Sequence, residues 1–318
     1  MAKGFEDTNN KACIRREFDK PILDGLAKRK GRKLFYFGLT GPEMHDIQDW
    51  VDIINSPVTS AEENSHDYYD KIGRANDIGD SMGIQIRFQR GDIAITMATG
   101  RDVDKEYPQR SSLDDGYRYF DYDIINLDFD GGLGSIFTRF KAIQELLKRQ
   151  SRTEHILLIT FNVRSKLREG IDSALTDLRA RLGTKEANEI LAWYGRDRRD
   201  EAFRIKAVVP GLIAAAANHV QLDCHAYPPI IYDGKKPARL VHFVFHLTPH
   251  DKVFRGFTTQ SEAEMLALPS LNVTKGILEL ATIQAPDFNE EPCAKSIEFL
   301  GKKTVKAIMD GYRSQTNG

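Results

Sequence analysis

Short apolar runs closed by glycine or a carboxylate alternate with stretches of helical period along much of the chain, the pattern of a parallel sheet with crossover helices. Leu34-Phe35-Tyr36-Phe37 is the first such run, stopped by Gly38-Leu39-Thr40-Gly41-Pro42 and followed by a helical pattern from Glu43 to Ile54. Pro42 suits a first helical position because it lacks the N–H that a helix start leaves unused. Pro57 to Ala61 is a weaker strand ending at Glu62-Glu63-Asn64, and Ile84 to Phe88 alternates like a strand before Arg90-Gly91-Asp92. Tyr122 to Gly132 contains an apolar run ending in Asp128-Phe129-Asp130-Gly131-Gly132. A helix is expected over about 137–149, and His155 to Val163 is the strongest strand in the sequence. Helical stretches follow near 170–182, 185–194 and 204–218.

The pattern then changes. His219 to Tyr227 and Arg239 to Leu247 read as strands with no helix between them, joined through Pro228-Pro229 and the turn at Asp233-Gly234. Two strands joined this way pair antiparallel. The expectation is an α/β, Rossmann-like, mainly parallel sheet with helices on both faces and a C-terminal antiparallel hairpin. Its divisions are an N-terminal basic helical arm over 1–32, a Rossmann domain over 33–250 and a C-terminal helical appendage over 251–318. Weak helices are expected near Ser261 to Leu266 and Ala294 to Tyr312.

Composition narrows the class. Of 318 residues, 41% are hydrophobic and 29% charged, as in globular proteins with a sizeable core. No run reaches the roughly 18 apolar residues of a membrane span. The polar stretch Met1 to Asn10 has no secretory pattern, and three scattered cysteines suggest neither a disulfide framework nor a metal-binding pair. A cytoplasmic location and no metal site are therefore expected. Net charge is -1, but Lys11 to Lys33 is rich in bases, including Lys28, Arg29, Lys30 and Arg32. That stretch reads either as a solvated amphipathic helix or as an arm contacting nucleic-acid phosphates.

The order of elements from Lys33 to Pro249 resembles the class I S-adenosylmethionine-dependent methyltransferase superfamily. The resemblance implies that the loop Gly38-Leu39-Thr40-Gly41 admits the cofactor, although a third glycine and the usual acid of the first strand are missing. It further implies that Glu62, with Glu63 beside it, holds the ribose, that Asp92 recognises adenine, and that Asp128 and Asp130 lie at the transfer centre. A carboxylate suits the ribose position because it accepts from two hydroxyls. The implied activity is methyl transfer, with nucleic acid as the favoured acceptor. Asp128-Phe129-Asp130-Gly131 lacks the prolines of the amino-methylating enzymes of that superfamily.

Two alternatives stay open. Leu127-Asp128-Phe129-Asp130-Gly131 also resembles the nucleophile motif of Mg²⁺-dependent haloacid-dehalogenase-type phosphatases, with Thr160 placed like their phosphate-binding residue. A Rossmann-like domain without chemistry, serving binding or assembly, is the other. Tyr117, Tyr119, Phe120 and Tyr122, near Arg110 and Arg118, read as a buried cluster or as a stacking platform for a base. His242 and His246 share a strand face, a spacing that fits ordinary strand histidines or metal ligands.

Overall fold

The structure is a computed structural model that describes residues 8–62, 65–100, 110–129, 142–163, 209–210, 213–214, 216–217, 219–233, 239–250 and 271–280. A parallel sheet forms from β1 (Tyr36–Gly38), β2 (Val58–Glu62), β3 (Ile86–Arg90), β6 (Ile124–Asp128) and β7 (His155–Val163). Their order is β3-β2-β1-β6-β7. The chain thus winds outward from β1 through β2 and β3, then returns to the other side of β1. That reversal is the topological switch point at which open α/β sheets bind ligands, outside the carboxyl ends of the strands.

Beyond β7 lies β10 (Arg239–Pro249), antiparallel to it over their shared length. The next position is taken by β8 (Leu222–Ala226) and β9 (Ile230–Asp233), which pair with successive halves of β10. The prolines at 228 and 229 divide what is otherwise a single line of chain, since proline cannot donate to the ladder. The expected Rossmann-like architecture with its closing antiparallel pair is the one observed.

Both faces of the central strands are buried. Along β7, Leu157, Ile159 and Phe161 join one apolar cluster, while Ile156 and Leu158 join the other. The first cluster lies under α5 (Ile93–Thr99) and the helix over 142–149. The second is covered by the N-terminal segment, by α3 (His45–Asp49) and by α4 (Ser65–Met82).

The N-terminal segment is one helical rod of three parts: α1 (Asn9–Cys13), a π-helical turn (Ile14–Asp19) and α2 (Lys20–Lys30). Pro21 explains the middle part. Within a helix its ring lacks a donor and collides with the carbonyl four residues back. Here the bond from the Lys20 N–H runs to the Arg15 carbonyl, five residues back, so the strain is absorbed as a widened turn. Ile14, Phe18, Ile22, Leu23 and Leu26 lie buried against the sheet.

Its bases face inward as well. Lys30 and Arg32 hold the fully buried carboxylate of Asp123 at 2.5 and 2.6 Å, and Arg29 bonds to Glu154 at 3.1 Å. Of the four bases named for the phosphate-arm reading, Arg29, Lys30 and Arg32 thus compensate acids near the amino ends of β6 and β7.

Two hairpins depart from the expectations. β4 (Ser111–Asp114) and β5 (Tyr117–Phe120) form a separate ribbon around Asp115-Gly116, both at positive φ, the signature of a tight hairpin turn. Phe120 and Tyr122 pack with Phe37, the latter stacked at 5.0 Å, which makes that pair of aromatics core and not an open platform. Arg152 and Arg149 sit over Tyr119 and Tyr117 at 3.7 and 4.4 Å.

The second lies within the expected helical appendage over 251–318. Its described residues form β11 (Leu271–Thr274) and β12 (Ile277–Leu280), and β11 extends the main sheet beside β9. Leu271 and Val273 alternate into the core, a period-2 signal too short to stand out in a polar context. The helices expected near 261–266 and 294–312, and those near 170–182 and 185–194, lie outside the described residues. No helix among the described residues is long and apolar enough to cross a membrane.

Candidate active site

Four adjacent parallel strands deliver the sequence-predicted residues to one edge of the sheet. Gly38 ends β1 and opens the 38–41 loop, Glu62 ends β2, Asp92 follows β3, and Asp128 ends β6. Cα pairings of Gly38 with Ser60 and with Asn126, and of Glu62 with Arg90, fix this rim in the backbone. Glu63 and Asp130 lie outside the described residues, so nothing joins them to it.

Each residue of the rim has its own local reason. A Cβ on Gly38 would lie 2.3 Å from the Asn126 carbonyl oxygen, so glycine here lets β1 and β6 approach. The Leu39 N–H continues the contact by donating to that carbonyl at 2.8 Å. Thr40 turns toward β2, its hydroxyl 3.0 Å from that of Ser60, which donates to the Gly38 carbonyl. Gly41 differs: a Cβ there would meet no heavy atom within 4 Å, and the loop backbone borders open space. Asp92 is the N-cap of α5 and accepts from the Ala94 N–H at 2.7 Å.

Beside this rim, under the N-terminal rod, is a cavity of about 80 Å³ lined by polar and apolar side chains. Its walls include Leu39 and Gly41 from the loop and Asp128 from β6, so it adjoins the rim at the switch point. The floor is a row of polar side chains on one face of the sheet. Asp128 pairs with Thr160 across β6 and β7, and Thr160 with His242 across β7 and β10. Side chains at alternate positions share a face, so Asn126 lies in the same layer as Asp128.

The roof comes from the rod. Lys11, Arg15 and Asp19, four residues apart, all line the cavity. Lys11 bonds to Asp128 at 2.6 Å and joins roof to floor. Asp19, almost wholly buried at the end of the π turn, lies 2.9 Å from His242 Nε2, and His242 Nδ1 is 2.8 Å from the Thr160 hydroxyl. With Nε2–H donating to the carboxylate, Nδ1 accepts from the hydroxyl. Three polar groups are thereby chained from the rod, through β10, to β7.

A second network stands on the β1 side. Tyr36 donates to Asp46 Oδ2 at 2.5 Å, and the Asn126 amide donates to the same oxygen at 3.0 Å. Burial raises the Asp46 carboxyl above its ordinary range, against the stabilising bonds from Tyr36 and Asn126 and the charge of Arg15. Burial likewise drives the Tyr36 phenol well up, reinforced by Asp46. Tyr232, also on the cavity wall, is raised by burial and by the charges of Asp128 and Asp19. These phenols remain neutral; Tyr36 donates to Asp46, and Tyr232 is hydrogen-bonded to Thr160.

The strand histidines are both accounted for by hydrogen bonds. His246 Nε2 lies 2.8 Å from Glu154, away from His242 along the strand. Among the described residues no group of three His, Cys, Asp or Glu side chains is placed to hold a metal ion. The phosphatase reading meets a further difficulty, since the Asp128 carboxylate is bound by Lys11 and the Thr160 hydroxyl by His242.

Lys11, Asp19 and Asp46 were not singled out from the sequence, though a signal existed for the floor. Asn126, Asp128, Thr160 and His242 each interrupt an otherwise apolar strand on one face. Asp19 and Lys11 gave no such signal, because their place depends on how the rod packs.

No protein-family model matches the chain, and no curated protein does. Solved structures match only loosely. An O-methyltransferase from Streptomyces achromogenes in complex with S-adenosylmethionine is 13% identical with a TM-score of 0.37, over 77% of this chain and 92% of its own. An O-methyltransferase from Bacillus cereus in complex with S-adenosylhomocysteine is 11% identical at 0.36, over 76% and 91%. A precorrin-6y C5,15-methyltransferase from Geobacter metallireducens is 10% identical at 0.33, over 72% and 87%. Overlaps this loose carry no argument about chemistry. The strand order itself supports the fold.

Proposed function

We propose that the chain is a methyltransferase of the class I kind, binding S-adenosylmethionine along the rim and its acceptor in the adjoining cavity. The observation that carries this reading is the convergence of the 38–41 loop, Glu62, Asp92 and Asp128 on the ends of four neighbouring parallel strands at the switch point. The bound cofactor supplies an electrophilic methyl group on a sulfonium sulfur. Gly41 leaves the loop backbone accessible, Glu62 accepts from the ribose hydroxyls, and Asp92 accepts from the adenine amino group while capping α5. Asp128, shared between rim and cavity, orients the acceptor. Alignment of two bound reactants supplies much of the rate in such transfers.

A cavity of about 80 Å³ takes in the reacting end of an acceptor and not a whole nucleoside. A small-molecule acceptor is favoured over nucleic acid, because Arg29, Lys30 and Arg32 already serve Glu154 and Asp123. Calorimetry with S-adenosylmethionine tests the cofactor part. One site is expected, weakened at least tenfold by Glu62→Gln and by Asp92→Ser, which keeps a capping hydroxyl. An undiminished isotherm in both variants would remove those residues from the site.

A further inference from the structure

Asp19, His242 and Thr160 form one hydrogen-bonded chain. It spans three separate elements, each member lines the cavity, and its outer end is the Thr160 hydroxyl, which lies beside Asp128 and is also hydrogen-bonded to Tyr232. A carboxylate holding one imidazole nitrogen while the other faces a hydroxyl is the arrangement of a general base with its orienting group.

We propose that this chain is a proton relay that activates a neutral hydroxyl acceptor in the cavity, an assignment that rests on the methyl-transfer reading. The acceptor hydroxyl donates to Thr160 Oγ, and Thr160 donates to His242 Nδ1. As an acceptor oxygen lone pair forms the new C–O bond, the C–S bond breaks and its electron pair returns to sulfur, leaving a neutral thioether. The acceptor proton passes to Thr160 Oγ as the Thr160 proton passes to Nδ1. His242 becomes an imidazolium held by the Asp19 carboxylate, and it returns the proton to water after product leaves. Charge balances, since the positive charge lost from sulfur appears on the imidazole.

Other groups face this centre. Asp128 and Lys11 form a bonded pair beside it, Arg15 from the rod also bonds to Asp49, and Tyr232 is a neutral phenol hydrogen-bonded to Thr160. None of these completes a path from a cavity hydroxyl to a buried carboxylate. The relay also sets the acceptor class. A neutral alcohol or phenol needs a base, whereas a carboxylate is already ionised at neutral pH and does not.

The test uses the full chain with phenol and benzoate as separate probes and follows release of S-adenosylhomocysteine. Phenol turnover is expected, falling on the order of 100-fold in kcat in His242→Gln with cofactor affinity unchanged. The acid limb of the wild-type pH–rate profile should vanish in that variant. Without cofactor, phenol should shift the His242 ring ¹⁵N signals in the wild type but not in Thr160→Val, which keeps the shape and removes the hydroxyl. The relay is overturned by phenol turnover that His242→Gln leaves intact, by turnover of benzoate alone, by no turnover of either with cofactor bound, or by an unmoved His242 signal. Absence of cofactor binding in the wild type would instead overturn the methyl-transfer reading beneath it.

Discussion

At the residue scale, the most constrained positions are those where one side chain serves two strands or two elements. Gly38 is one. Its missing side chain is matched to the Asn126 carbonyl, so Gly38→Ala forces β1 and β6 apart at the switch point. A loss of about 2 kcal/mol is expected in urea unfolding, in the range of overpacked interiors. Asp123 is another, its buried carboxylate held by Lys30, Arg32 and the Phe35 N–H. Asp123→Ala strands those donors and should cost about 3 kcal/mol in the same measurement. Neither residue was legible as structurally decisive. Gly38 read as part of a cofactor loop, and Asp123 was not singled out at all, because only strand pairing shows what each one touches.

At the scale of elements, the N-terminal rod changes meaning once folded. In sequence it is a run of bases with scattered apolar residues, open to reading as a solvated helix or a phosphate arm. In the structure it roofs the cavity, and Pro21 sets its π turn. Its anchorage is hydrophobic: Phe18 is buried in the core and meets Tyr227 edge-on at 6.4 Å. Phe18→Ala should lower stability by about 3 kcal/mol. If the rod holds the cavity closed, the same variant should speed hydrogen exchange at residues 11–19 well before global unfolding. Exchange that accelerates uniformly across the protein would show that the rod has no separate stability. The parallel strands were legible because those of the centre, β1, β6 and β7, carry apolar residues on both faces, β3 alternates, and each is bounded by turn residues. The two tight hairpins were not, since their strands are short and partly polar, and in each only a residue pair ending in glycine marks the turn.

For the whole molecule, burial of histidine governs the response to acid. Burial pushes His155 down to about 4, partly opposed by its bond to the Thr153 carbonyl, and burial with the charge of His246 pushes His225 down to about 4. Burial also lowers His246, despite its bond to Glu154. These rings are neutral in the native state and take up protons near 6.5 when unfolded. Between those values the unfolded chain binds more protons, so stability is full above about pH 6.5 and is lost as pH falls toward 4. The shifts of His155 and His225 amount to on the order of 3 kcal/mol apiece at pH 4. Urea midpoints measured from pH 7 to 4 should fall steadily, and less so in His225→Phe. A flat profile would mean that the rings are accessible to protons in the folded state. Fold class was legible at this scale because element order is a property of the whole pattern. The rim could be read from the same pattern, while the cavity's roof required the tertiary packing.

In the proposed function, one nucleoside-bearing ligand lies across the ends of β1, β2, β3 and β6. A crystal structure with S-adenosylhomocysteine tests it most directly. Adenine is expected beside Asp92, the ribose hydroxyls on Glu62, and the sulfur pointing past the 38–41 loop toward Asp128 and the cavity. A nucleoside seated elsewhere, or crystals that stay empty at saturating ligand, would contradict it.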